Sequence, residues 1–392
     1  MTGERINLLI EVASFDKGGL EKVVLDSALR FDRSRFSVTV VSIGRTGYLA
    51  QLAERHGIRV YRLPLFNKQG VYRKILNRHD INLSNSHFSY FGYPLLQASG
   101  IPNITFIHNV YAFLPPMLAA FRDADRYVDH YISVSNSATR YAVGKLGVRT
   151  EKITTIPNGL IVEEHEERKR NASPVRRGEF GLAETDYVFL NVASYNLHKG
   201  HYLMADAMRR IAQLRSDIKI LCIGNVINQP HITAFRRYLK EKSLDRSILM
   251  PGYYPHVESF YGITDAFLLP SFIEGWSIAM NEAMFYGKPL ILTRTGASEE
   301  VIRDGDIGIL VDNEYGDILN LDAALLDDLA YNRREFVTAD QLAGAMIAMA
   351  DNRDYWRAAG EKGHEKVVKE YALDRTIDRY EQVFAAFVRR NT

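Results

Sequence analysis

Cysteine is almost absent from this chain. The single one, Cys222, lies in the apolar run IKILCIG, so no disulfide can form within the chain and the thiol reads as a small buried hydrophobe. No apolar run approaches the roughly 18 residues that a membrane-spanning helix needs. Near the N-terminus, MTGERINLLIEV is interrupted by Glu11 before it can form the apolar core of a secretory signal, and a cytoplasmic protein is expected. Net charge is slight as well: 49 Lys and Arg against 47 Asp and Glu leave +2, which gives no ground for a nucleic-acid partner. No Gly-x-Gly-x-x-Gly follows a strand, which sets aside a nicotinamide-dependent oxidoreductase.

What is present is ordinary globular material in an amount too large for one average core, so two domains are expected. Both halves alternate strand and helix signals. The first gives strands at INLLIEVA, SVTVVSI, RVYRL, INLSNSHF, ITFIHNV, YISVS and ITTIPNG. A helix over residues 18–30 follows a Gly loop, another over 46–57 ends at Gly57, and Ser135 or Asn136 caps a third. The second half restarts with YVFLNVA, IKILCIG, SILMPG, AFLLPS, PLILT and IGILVD, separated by helical stretches. This alternation predicts two doubly wound, Rossmann-like α/β domains. The expected boundaries are 1–165 plus a C-terminal helix at 374–392, a charged linker at 166–180, and 181–373. The acidic segment 312–338 reads as a solvated surface excursion.

The chemistry concentrates in PSFIEGWSIAMNEAMFYGKPLILT, residues 270–293. A buried strand leads into a loop, and a helix follows. Ligands of open α/β sheets bind beyond the carboxyl ends of the strands, and a helix N-terminus offers unpaired amides to an anion. The amides from Gly275 through Trp276 and Ser277 to Ile278 therefore suit a diphosphate, with the Ser277 hydroxyl as a further donor. Glu274 would accept from a sugar hydroxyl and Glu282, two turns into the helix, from a ribose diol. Together they describe a nucleotide-sugar site.

The Glu-x7-Glu pattern within PS-x-x-E-G…E-A-M-x-x-G-K-P resembles the signature of the family-4 retaining glycosyltransferases, which have the GT-B fold. The resemblance continues through GAS-E-E-V-I at 296–302 and reaches back to Lys199-Gly200, IPNG at 156–159 and Gly18-Gly19. It implies two Rossmann-like domains facing a central cleft. It also implies transfer of a hexose from a UDP- or GDP-sugar to a glycan acceptor, with retention at the anomeric carbon. The acceptor is expected to be lipid-linked, in bacterial surface polysaccharide synthesis, with contact at the inner face of the cell membrane.

The resemblance assigns roles residue by residue. Gly18 and Gly19 let the backbone approach the donor phosphate or the acceptor, although a plain tight turn would use the same glycines. His108, ending ITFIH, contacts the donor sugar or orients the acceptor, and His87 is a second strand-end candidate. Lys199 neutralises the departing diphosphate, with Glu274 and His108 as the other catalytic residues. Ser194, Asn196 and Trp276 join the donor site, Trp276 as a pocket wall. Family members carry an Arg where this chain has Ser194; Arg294 or another basic residue substitutes, or hydroxyl and amide donors suffice, or catalysis is slow. That departure keeps open a second reading, a catalytically weak protein that scaffolds another transferase. No metal or other cofactor is expected: Asp304-Gly-Asp306 reads as a loop turn and Asp123-Ala-Asp125 as a helix surface. The apolar segment 109–121 reads as buried, the commonest case, or as an acceptor entrance that touches lipid. Residues 1–164 carry 20 basic against 14 acidic groups, the charge a pyrophosphate-linked or lipid acceptor would favour.

Overall fold

The computed structural model describes residues 5–113, 121–303 and 305–388, and the chain forms two compact units. One comprises the chain up to Gly159 together with the segment from Leu373, and the other is Leu160–Ala372. The first unit holds a parallel seven-stranded sheet of β1 (Ile6–Val12), β2 (Phe36–Ser42), β3 (Arg59–Arg62), β4 (Leu83–His87), β5 (Asn103–Ile107), β6 (His130–Ser133) and β7 (Ile153–Thr155). Its order is β3-β2-β1-β4-β5-β6-β7. The second unit holds six parallel strands, β8 (Tyr187–Val192), β9 (Ile218–Ile223), β10 (Ile248–Gly252), β11 (Ala266–Leu269), β12 (Leu290–Thr293) and β13 (Gly308–Val311), in the order β10-β9-β8-β11-β12-β13. Both sheets are doubly wound, and their thirteen strands fall on the strand segments named above.

These runs are continuous rather than alternating because helices cover both faces of each sheet. β8 and β11, for instance, are buried almost throughout. In each unit the winding reverses at one point, between β1 and β4 and between β8 and β11. Strands that part there leave a crevice at their carboxyl ends, where loops can hold a ligand.

The C-terminal helix Leu373–Val388 completes the first unit. Phe384 packs against the stacked pair Phe31 and Phe36, with ring centroids at 5.8 and 6.5 Å, and Tyr380 meets Phe106 edge-on. Glu381 caps the arrangement, accepting from the Asp32 amide and from Arg35. Gly159 of IPNG is explained by this helix: a Cβ there would stand 2.3 Å from the Leu373 Cα. Ser135 is the N-cap of Asn136–Tyr141, accepting from the Ala138 amide.

Two expectations need correction. The segment 166–180 is not an unstructured linker: Val162–Asn171 is a helix of the second unit, and Arg177–Phe180 is a further turn. The apolar period is missing because the helix buries one side chain only, His165, against Phe285 and Tyr286. Nor is 312–338 a solvated excursion. Ile318, Leu321, Leu326, Leu329 and Phe336 are all buried, and Phe336 stacks on Phe272 at 5.7 Å. Its acidic groups are partly structural: Glu314, 2% exposed, binds Arg333 and the Thr338 amide and hydroxyl.

Candidate active site

The winding reversal of the second unit brings two of the expected residues together. After β8 the chain runs through Ser194 and Asn196 into the turn Leu197–Lys199, where Asn196 caps the His198 amide. After β11 it runs through Pro270 and Ser271 to Glu274. Lys199 Nζ lies 2.6 Å from Glu274 Oε1, and the Ser271 hydroxyl donates to the same oxygen at 2.9 Å. Both side chains are largely buried, at 21% and 13% exposure, so the pair is shielded from solvent. Glu274 Oε2 has no hydrogen-bond partner among the described residues.

The backbone enforces this meeting. The Phe272 amide donates to the His198 carbonyl at 2.9 Å, joining the two loops. Gly200 has φ +76°, and a Cβ there would sit 1.9 Å from the Pro270 carbonyl oxygen, so only glycine permits this approach. On the other side Gly296 packs against the Glu274–Gly275 backbone, where a Cβ would come within 2.5 Å of the Gly275 oxygen.

Ser277 caps the helix Ile278–Phe285, accepting from the Met280 amide. Gly275, Trp276 and the first turn from Ile278 thus present amides beside Glu274, where an anion is favoured. Trp276 differs from expectation. It is 5% exposed, its indole N–H donates to Asn281 at 3.0 Å and its ring meets Tyr371 edge-on. It braces the helix start from within instead of walling a pocket. Glu274 and Ser277 line a small crevice with Thr293, Thr295 and Ser298. A roomier cavity of about 450 Å³, lined by Lys169, Tyr261, Tyr286 and Lys288 among others, shares no residue with it.

Glu282 is partly buried, its Oε1 3.9 Å from His165 Nε2. Sequence reasoning missed His165, because a lone histidine in a charged stretch carries no periodic signal. It also missed the wall that 312–338 builds over the Lys199 turn. Tyr331 packs on His198 at 5.3 Å, its hydroxyl lies 3.5 Å from Asn196 Oδ1, and Asp327 stands 3.9 Å from His198. Arg294 does not take the place of the missing Arg. Its guanidinium is held by Asp312 and Glu299, and no second cation pairs with Glu274 among the described residues.

Gly18, Gly19 and His108 belong to the first unit, at the carboxyl ends of β1 and β5 on either side of β4. Gly18, at φ 143°, precedes the helix Gly19–Arg30, and the space around Gly19 is open to 4 Å. His108 is locked by a relay. The Asn85 amide nitrogen donates to the Ile104 carbonyl, which turns Asn85 Oδ1 toward His87 Nε2 at 2.6 Å. His87 Nδ1 lies 2.7 Å from His108 Nε2. Burial holds the His87 imidazole well below its ordinary pKa and pushes His108 down to about 4. With both rings neutral, His87 must donate from Nε2 and accept at Nδ1, so His108 donates from Nε2 and keeps Nδ1 as an acceptor. A ligand hydroxyl suits that nitrogen, and an anionic oxygen does not.

Among the described residues no three His, Cys, Asp or Glu side chains are grouped to hold a metal. Asp125 is occupied by Tyr131 and Lys152, while Asp304 lies outside the described residues, as does most of the 109–121 segment. No helix among the described residues is long and apolar enough to cross a membrane.

Two family models match in tandem, Glycosyltransferase Family 4 over residues 17–164 and Glycosyl transferases group 1 over 173–334, and between them they cover most of the chain. N-acetyl-alpha-D-glucosaminyl L-malate synthase of Bacillus anthracis is 24% identical over 389 residues, 88% of this chain and 94% of that one. UDP-Gal:alpha-D-GlcNAc-diphosphoundecaprenol alpha-1,3-galactosyltransferase of Escherichia coli is 21% identical over 280 residues, 66% of this chain and 70% of its own. Anabaena HepE in complex with UDP has a similar fold, with a TM-score of 0.77 at 16% identity, covering 97% of this chain and 100% of its own. In its complex with UDP-glucose the TM-score is 0.76. This chain belongs to the family-4 glycosyltransferases and has their GT-B fold: it is a glycosyltransferase.

The relay generates a prediction. The unfolded chain binds protons at its histidines near 6.5, whereas native His108 binds none until about 4. The native state should therefore lose stability as pH falls through that window, by on the order of 3 kcal/mol for this group. Histidine nitrogen NMR at pH 6 should find His87 and His108 neutral and protonated at Nε2. A doubly protonated ring at either position would contradict the relay.

Proposed function

We propose that this glycosyltransferase moves a hexose from a UDP- or GDP-linked donor to a glycan acceptor carried on lipid, with retention at the anomeric carbon. The observation that carries the reading is the Lys199–Glu274 pair, 2.6 Å apart beside a helix N-terminus at the winding reversal. A donor diphosphate placed there meets the Lys199 ammonium and the amides from Gly275 onward. Glu274 Oε2 then faces the sugar as a hydroxyl acceptor, while Oε1 stays bonded to Lys199 and Ser271. Glu282 takes the ribose diol. The bond between the anomeric carbon and the diphosphate oxygen breaks, its electrons leaving with the diphosphate. The acceptor oxygen bonds to that carbon and loses its proton.

Negative charge grows on the diphosphate as that bond breaks, so a fixed cation in a shielded site favours the transition state over the ground state. Lys199 supplies that charge without a metal ion, and metal-independent transfer is part of the proposal. The named relatives support the donor and acceptor classes: one is described as using UDP-Gal on a diphosphoundecaprenol-linked sugar, and HepE is described in complex with UDP-glucose. Retention rests on the family resemblance, and synthesis at the inner face of the membrane on the acceptor class.

Two expectations follow. Lys199→Ala should lower turnover about 10²–10³-fold, equivalent to roughly 2.7–4 kcal/mol of transition-state stabilisation. Unchanged turnover in a folded Lys199→Ala protein would overturn the assignment, whereas a wild type that neither hydrolyses nor transfers from any common donor would favour the scaffold reading. Separately, transfer measured in excess EDTA should match the untreated rate. Activity lost to the chelator and restored by Mg²⁺ or Mn²⁺ would show that a metal does part of this work.

A further inference from the structure

The first unit carries an exposed apolar cluster that the sugar-transfer site does not use. After β3 the chain runs through Leu63, buried at 3%, to Leu65 and Phe66, which are 82% and 86% exposed. Tyr48, just after the neighbouring strand β2, is 61% exposed. These loops are ordered parts of the fold. Lys68 Nζ donates to the Ile43 carbonyl at 3.1 Å, tying the loop after β3 to the loop after β2. Asn67 adopts a left-handed conformation, φ 56°, and caps the helix Lys68–Arg78 by accepting from the Gly70 amide. Phe66 is thus held outward by a built turn.

The charge around this cluster is mostly positive, the exception being Asp16, whose carboxylate accepts from the Tyr48 amide at 3.3 Å. From His56 to His79 the chain contains Arg59, Arg62, Lys68, Arg73, Lys74 and Arg78 and no acidic residue. The helix Lys68–Arg78 buries Tyr72, Ile75 and Leu76, leaving Arg73, Lys74 and Arg78 exposed. Arg59 is turned onto the sheet edge, where it donates to Ser37 and Thr39. The nearest acidic groups in sequence, Glu54 and Asp80, precede β3 and β4 and so stand at the opposite end of the strands.

We propose that this edge, Tyr48, Leu65 and Phe66 flanked by Arg62, Arg73 and Lys74, docks on an anionic lipid bilayer. The apolar side chains enter the boundary between headgroups and acyl chains while the cations meet lipid phosphates. A polyanion such as nucleic acid would use the cations and leave Leu65 and Phe66 in water. A protein partner with an apolar face would use the apolar cluster without needing a ring of cations. An anionic bilayer uses both. The cluster lies at the carboxyl edge of the sheet, the same edge as Gly18, Gly19 and His108. In its functional meaning the inference rests on the lipid-linked acceptor proposed above, because docking at this edge brings that acceptor to these residues.

Sedimentation of the full chain with phosphatidylcholine vesicles, with and without phosphatidylglycerol, tests this without any donor or acceptor. Binding is expected only to the anionic vesicles and should weaken at high salt. Leu65→Ser with Phe66→Ser should weaken it about tenfold or more. Arg73→Glu with Lys74→Glu should abolish the preference for anionic lipid. Both variants should retain transfer to a water-soluble acceptor. The proposal is overturned if the wild type ignores anionic vesicles, or if the serine variant binds them as the wild type does, the result a purely ionic contact would give. It is equally overturned if sedimentation velocity shows a dimer that the serine variant dissolves, since the face would then cover a second copy. Vesicle binding that behaves as expected, together with no transfer to any lipid-linked acceptor, would uphold the docking and reject the acceptor reading.

Discussion

The ion pair between Lys199 and Glu274 is the contact on which the rest of the second unit converges. Two loops that leave adjacent strands in opposite winding directions must approach within hydrogen-bond distance, and three backbone features permit it. Gly200 lies against the Pro270 carbonyl, the Phe272 amide reaches the His198 carbonyl, and Gly296 packs on the Glu274 backbone. A side chain at either glycine would push the loops apart. Placing a lysine and a carboxylate together out of solvent is costly unless each satisfies the other, and Ser271 adds a further bond to the same carboxylate oxygen. The site is thereby charged and oriented before any ligand arrives, which is what electrostatic stabilisation of a leaving group requires.

The fold was legible because most strands, β8 and β11 among them, are buried on both faces and appear as apolar runs, while the edge strand β3 is exposed at both ends. The loops at the strand ends were legible because glycine and charge stand out against those runs: Gly18, Lys199-Gly200 and Glu274-Gly275 all fall there. What stayed hidden was long-range packing without a period. His165 sits in a stretch that reads as linker, since a helix burying one side chain leaves no apolar stripe. The segment 312–338 looked solvated because its acidic residues outnumber the few apolar ones that anchor it. Trp276 reads as a pocket wall in the sequence, which does not reveal that Asn281 and Tyr371 hold its ring inward.

The first unit solves a different problem. His108 stands at a strand end in a site dry enough to keep it neutral, and a neutral imidazole can present either nitrogen as donor. The chain Asn85–His87–His108 removes that ambiguity, since the Asn85 amide, set by the Ile104 carbonyl, turns its oxygen to His87 and so fixes the direction of both ring contacts. At the far side of the same edge, exposed Leu65 and Phe66 stand among cations. Polar and apolar groups at the carboxyl edge of this sheet are thus separated, the histidine relay lying at β4 and β5 and the exposed apolar pair beyond β3.

Calorimetric titration of the full chain with uridine, UMP and UDP, and with the guanosine series, tests the central claim most directly. If Lys199 and the amides at Gly275–Ile278 form a prepared diphosphate site, affinity should rise steeply at the diphosphate in at least one series, and Lys199→Ala should remove most of that gain. Equal affinity for nucleoside, monophosphate and diphosphate, or a diphosphate gain that survives Lys199→Ala, would contradict the account.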